Sequence, residues 1–168
     1  GDGFLMRRIV LLALAAVSCA VPSAPAATQR FDAKARALDG DTVAVDFRLL
    51  GVDAFERRQL CRKTSGCWQC GKAAQDYAAR ALRATSATIH LTATSSYGRP
   101  VASVTVDGRD LGEQIIRAGF AVPEAQYLRH DPGRATRYRT AFAQARARRA
   151  GAFAGTWIEP SRCDTASA

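Results

Sequence analysis

The 168 residues contain two histidines, no internal repeat and no regular alternation of strand and helix patterns. The last two absences exclude a tandem-repeat array and a doubly wound parallel sheet. The apolar run at residues 9–17 is too short to cross a bilayer, and no later stretch is apolar for long enough, so no membrane span is expected. Acid is also scarce: 15 Asp and Glu stand against 24 Lys and Arg, a net charge of +9. That excess suits nucleic acid, an acidic membrane surface or simply a soluble basic protein, because net charge raises encounter rates without specifying chemistry. Neither histidine is needed for chemistry. His90 alternates within a strand pattern and reads as a satisfied interior side chain, and His130 lies beside Asp131-Pro132-Gly133, which reads as a turn.

The N-terminal residues read as an export signal. Arg7 and Arg8 form a basic start, residues 9–17 an apolar stretch and Ala24-Pro25-Ala26 a small-residue cleavage site. The expected organisation is a signal peptide over residues 1–26 and one domain over residues 27–168, secreted or periplasmic, with a mature charge of +8. A lipoprotein anchored through Cys19 is the alternative, although Ala16 stands where such signals usually carry leucine. Outside the signal Cys61, Cys67, Cys70 and Cys163 remain, an even number in an oxidising compartment, which favours two disulfides. Three pairings are open. Cys67-Trp68-Gln69-Cys70 also has the spacing of a redox or zinc half-site, but no βαβ pattern precedes it; four thiolates around zinc are the alternative to two bridges.

Residues 42–50 alternate as a strand after a turn at Asp39-Gly40-Asp41, and Ala74, Tyr77, Ala78, Ala81 and Leu82 place a helix over 70–84. Strands are expected over 87–93 and 101–106, joined through Tyr97-Gly98-Arg99-Pro100 and stopped at Asp107-Gly108. Helices are expected over 111–118 and 135–150, each ended by glycine, with the arginines of 134–149 on a solvated face. Strands come early and helices late, so the fold class is α+β around a small barrel.

Asp39, Asp41, Asp53 and Glu56 concentrate acid in a short stretch of otherwise apolar strands. Oxygen ligands of this kind suit calcium or magnesium rather than zinc, whereas Asp39 and Asp41 equally suit a turn built on their own backbone. Arg48 and Arg99 lie in apolar strand contexts, where each needs an anionic partner. Phosphate, which a guanidinium grips bidentately, and one of these carboxylates both qualify.

Three stretches in order resemble the staphylococcal nuclease (thermonuclease) family: Leu38-Asp39-Gly40-Asp41-Thr42-Val43, Phe47-Arg48-Leu49-Leu50-Gly51-Val52-Asp53-Ala54-Phe55-Glu56, and Tyr97-Gly98-Arg99. The resemblance runs from about residue 30 to residue 157 and implies a five-stranded OB-type β-barrel with about three helices. It implies Ca2+ held by Asp41, Asp53 and the carbonyl of Ala54, with Asp39 behind Asp41. It further implies Glu56 as the base that lines up or deprotonates water, Arg48 and Arg99 on the phosphate, and Tyr97 and Tyr127 against the nucleotide. The implied reaction breaks the bond to the 5′ oxygen and leaves 3′-phosphate ends. The expected substrates are DNA and RNA, preferably single-stranded, with low sequence specificity, and the expected state is a monomer. By likeness to cysteine-bearing bacterial members, Cys61 bridges Cys70, leaving Cys67 for Cys163. Two departures stand out. Phe55 occupies the usual position of proline before the glutamate, a change able to shift the loop that aims Glu56, with its effect on activity left open; Ser95 and Ser96 occupy positions often charged, which tilts the expectation away from exonucleolytic trimming. The rival reading is an OB-type module that binds nucleic acid without cutting it, and a further one is an adhesive envelope protein indifferent to calcium.

Overall fold

A computed structural model describes residues 31–83 and 86–158. The signal segment, Cys19 and Cys163 lie outside the described residues. Within them the fold is α+β, with three α-helices and several short strands.

Strands β1 (Ala35–Ala37) and β2 (Val43–Val45) form an antiparallel hairpin across the expected turn at Asp39-Gly40-Asp41, closed by Leu38 N–H donating to the Thr42 carbonyl at 2.9 Å. Residues 42–50 are not one strand. After β2 the chain changes partner at Asp46-Phe47, and β3 (Arg48–Leu49) runs parallel to the later β8 (Arg99–Val106). β4 (Val52–Ala54) follows a tight turn at Gly51, whose positive φ of 65° brings the backbone against the Leu128 side chain, where a Cβ would collide. β7 (Ala87–Ser96) and β8 make the expected hairpin through Tyr97-Gly98, both at positive φ as a type I′ turn requires. Sequence alternation in β8 hides the fact that it is buried nearly throughout, because it lies centrally between β3 and β7. β7 is an edge strand, and His90 on it is exposed rather than interior. A second I′-type turn at Asp107-Gly108 leads into β9 (Arg109–Asp110), which pairs back on β8.

A hairpin the sequence does not announce, β5 (Cys61–Lys63) with β6 (Gly66–Trp68), fills the insert before α1 (Cys70–Arg83). It is fixed by distant chain, since Arg62 and Thr156 exchange backbone hydrogen bonds of 2.9 Å in both directions. Helix α2 (Leu111–Arg117) begins on Asp110, whose carboxylate accepts from Glu113 N–H at 3.0 Å. β10 (Ala121–Pro123) pairs antiparallel with β4. Helix α3 (Pro132–Ala147) starts earlier than the periodicity suggests. Asp131 caps it by accepting from Arg134 N–H at 2.8 Å and Pro132 occupies the first turn, so the residues read as a turn are the helix start. Tyr138, Ala141 and Ala145 bury one face of α3, and its arginines occupy the rest.

Two apolar clusters hold these elements. One joins Val52, Val104, Val106, Leu111, Ile115, Ile116 and Tyr138; the other joins Phe55, Cys61, Cys70, Ala74, Ala145 and Phe153. The second lies under the loop that carries Glu56. No helix among the described residues is long and apolar enough to cross a membrane.

Candidate active site

β3 and β4 place Arg48 and Asp53 side by side, with a guanidinium nitrogen 3.8 Å from the Asp53 Oδ1. Asp53 is buried, so its carboxylate sits as the floor of the site. The turn between β7 and β8 brings Tyr97 over the same spot: the Arg48 guanidinium lies 5.3 Å from the centre of the Tyr97 ring, which is otherwise 85% exposed. Arg99 at the start of β8 and Glu56 just after β4 complete the wall. Arg48, Asp53, Glu56, Tyr97, Arg99 and Tyr127 line one polar cleft of about 230 Å³. A second hollow of about 240 Å³ shares Arg48, Asp53, Glu56 and Arg99 with it and adds Ala54.

Asp39 and Asp41 line neither hollow. Both are exposed in the β1–β2 turn, where the Asp39 carboxylate accepts from Thr42 N–H at 2.8 Å and Asp41 N–H at 3.2 Å. Hydrogen bonding from Thr42, then from Asp41, holds the Asp39 carboxyl below its ordinary value. Asp41 in turn accepts from the Thr42 hydroxyl at 3.1 Å. Asp39 thus builds the turn that positions Asp41. Among the described residues no three His, Cys, Asp or Glu side chains cluster closely enough to hold a metal ion. The donors that do converge, the Asp53 and Glu56 carboxylates beside the Ala54 backbone, are hard oxygens and fit Ca2+ or Mg2+ by chemistry.

Glu56 is held by groups whose importance the sequence does not reveal. Phe55, far from loosening the loop, is its anchor: it is 4% exposed, edge-on to Trp157 at 5.7 Å and to Phe153 at 6.2 Å, and its N–H donates to the Phe120 carbonyl at 3.2 Å. Buried Gln59 accepts from Glu56 N–H at 3.1 Å, donates its side-chain amide to the Ile158 carbonyl at 2.8 Å, and donates its own N–H to the Glu56 carbonyl at 2.7 Å. Gly71, in the first turn of α1, lies so close to the Glu56 carbonyl that a Cβ would overlap it. The Cys61–Cys70 disulfide, as expected from the family resemblance, joins the chain just after Gln59 to the chain just before Gly71. Cys67 is exposed, and its expected partner lies outside the described residues.

One acidic residue in the cleft has no counterpart in the sequence motifs. Glu124, after β10, lines it with Arg48 and Tyr127 and accepts from the Gln126 amide at 3.3 Å. It reaches the site only through the β4–β10 pairing.

Two guanidiniums and three carboxylates, those of Asp53, Glu56 and Glu124, line an open polar cleft that suits a phosphate-like anion accompanied by a cation rather than an apolar ligand. A family model described as staphylococcal nuclease homologue matches residues 46–155, and the chain belongs to that family. The family is one of nuclease hydrolases that act on nucleic acid. No curated protein matches the chain.

Proposed function

We propose that this protein is a calcium-dependent nuclease that hydrolyses phosphodiester bonds of DNA and RNA with low sequence specificity and leaves 3′-phosphate ends. The observation that carries it is the convergence of Arg48, Arg99, Asp53 and Glu56 on one cleft, in a chain of the nuclease family. A module that only bound nucleic acid would have no physical use for three carboxylates facing phosphate, since without a cation they repel it.

Asp53 and the Ala54 carbonyl would hold Ca2+ in this account, joined by Asp41 from the exposed β1–β2 turn that Asp39 fixes. The ion would supply positive charge to offset the negative charge developing on the phosphoryl oxygens. Arg48 and Arg99 grip the scissile phosphate, and their forks stabilise its extra charge as it becomes pentacoordinate. Glu56, exposed at the cleft edge, accepts the proton of the attacking water or holds that water in line. The bond to the 5′ oxygen breaks, so the phosphate stays on the 3′ side. Tyr97 and Tyr127 flank the cleft as stacking surfaces that tolerate any base, which favours single strands. The parallel β3–β8 pair and the β7–β8 hairpin support the five-stranded OB-type barrel as the frame. An export signal over residues 1–26 makes the enzyme secreted or periplasmic.

The test is release of acid-soluble fragments from single-stranded DNA by the oxidised protein, with calcium and with chelator. Cutting that requires calcium and falls by about 10²–10³ in Arg99→Ala supports the proposal. Binding without cutting under both conditions overturns it in favour of the binding module.

A further inference from the structure

The arginine-rich stretch of α3 has no part in the cutting cleft, yet the fold does not leave it as an evenly solvated face. A separate cleft of about 770 Å³ lies between α2, α3 and the β8–β9 turn, and it shares no lining residue with the candidate active site. Five guanidiniums line it: Arg109 and Arg117 from the adjoining β9 and α2, and Arg134, Arg137 and Arg148 from α3 and its C-terminal end. Asp110 and Glu113 are the carboxylates in the lining.

Those two acids serve to fix arginines. Asp110 receives the Arg134 Nε at 2.9 Å, and Glu113 receives Arg117 at 2.6 Å and Arg137 at 3.4 Å. Arg117 is braced again by Gln144 at 2.6 Å. Arg148 donates to the Arg117 carbonyl at 3.1 Å, and neither it nor Arg109 makes an ion pair among the described residues. A concave surface therefore holds three more positive than negative charges, with much of its guanidinium geometry set in advance, which favours several successive phosphates over a single carboxylate.

We infer that this cleft is a second binding site for the phosphate backbone of a nucleic-acid strand whose scissile bond lies in the cutting cleft, an inference that rests on the nuclease reading. Arg99 begins β8 and Thr105, near its other end, lines the arginine cleft, so the two sites are about 20 Å apart at strand rise. A stacked single strand covers that span in about six nucleotides. Short oligonucleotides fill only the cutting cleft, and longer ones engage both.

The experiment compares binding of single-stranded DNA of four and of sixteen nucleotides to the mature protein in calcium, between 50 and 200 mM salt, with Glu56→Gln in every protein to suppress cutting. The variants are Arg109→Gln with Arg148→Gln, and a charge-matched pair on α3 outside the cleft, Arg139→Gln with Arg146→Gln. Losing two phosphate contacts lowers the salt slope for the long strand by about 1.4, so the deficit of the cleft pair shrinks about sevenfold across that salt range. The four-nucleotide strand is bound as by wild type, and the control pair keeps the wild-type slope. Equal loss in both pairs, or none in either, while the wild type still binds and cuts, overturns the second site alone. A wild type that binds neither strand and cuts nothing overturns the nuclease reading and the second site together.

Discussion

Removing the Cys61–Cys70 bridge is a direct perturbation of how the fold serves Glu56. The bridge closes a loop of sequence separation 9, and loop-closure entropy alone assigns it about 2.6 kcal/mol at 25 °C. Both sulfurs are buried in the cluster around Phe55, so paired alanines also leave a small cavity that adds to this figure. For a domain of this size the loss lowers the melting temperature by about 10 °C. Gln59, whose hydrogen bonds hold the Glu56 backbone, stands two residues before Cys61 and accepts from Gly71 N–H, just after Cys70, at 3.2 Å, so the bridge holds the two sides of this contact together. Cleavage by Cys61→Ala with Cys70→Ala therefore falls even at temperatures where the variant is folded, by about 10² for a misplacement near 1 Å. The assay is thermal unfolding followed by circular dichroism, paired with initial rates at 20 °C, in a Cys67→Ala background that prevents thiol exchange. An oxidised-minus-alanine difference below about 0.5 kcal/mol, with unchanged rates, would refute the claim that the bridge sets this loop.

Phe55→Ala empties a buried aromatic site and should cost about 3–5 kcal/mol in denaturant titration. Phe55→Pro, which supplies the family's usual residue, also loses the ring contacts and the N–H bond to Phe120, so it should destabilise rather than improve the protein. Gly71→Ala gains helix propensity of under about 1 kcal/mol but drives a Cβ into the Glu56 carbonyl; overpacking of about 1–3 kcal/mol wins, and both melting temperature and rate should drop. Burial, then the neighbouring Asp110 carboxylate, pushes the Tyr138 phenol above its ordinary value. A raised folded-state value means that its stabilisation is fully present below the unfolded tyrosine value near 10 and is lost as pH rises beyond it. Stability measured against pH should therefore decline more steeply above about 10 in wild type than in Tyr138→Phe, which at neutral pH costs about 1–2 kcal/mol because Asp110 loses a 2.8 Å donor.

Local signals in the sequence carried what is local in the fold. The turn at Asp39-Gly40-Asp41, the hairpin at Tyr97-Gly98 and the start of α1 all depend on neighbours within a few positions, and each falls where its residues indicate, whereas Arg48 and Asp53 reach the cleft through the β3–β8 and β4–β10 pairings. Partner choice is not local. The break between β2 and β3 follows from a switch of pairing from β1 to β8, which no alternation pattern records. The β5–β6 hairpin depends on Thr156, and Glu124 joins the cleft through the β4–β10 ladder. His90 is exposed despite its place in an alternating strand, because alternation reports a pleat but not whether a further layer covers it. The start of α3 was missed because Asp131-Pro132-Gly133 has turn chemistry that serves equally as an N-cap followed by proline in the first turn. The arginine cleft needed the fold itself, since its five guanidiniums come from the β8–β9 turn, α2 and α3.

The most direct measurement of the central claim is cleavage of a 5′-labelled single-stranded oligonucleotide by wild type and Glu56→Gln, with calcium and with chelator, read for both rate and product end group. The account predicts calcium-dependent fragments ending in 3′-phosphate and a rate about 10²–10⁴ lower in Glu56→Gln. Cutting that is indifferent to Glu56 and to calcium, or fragments ending in 3′-hydroxyl, would contradict it.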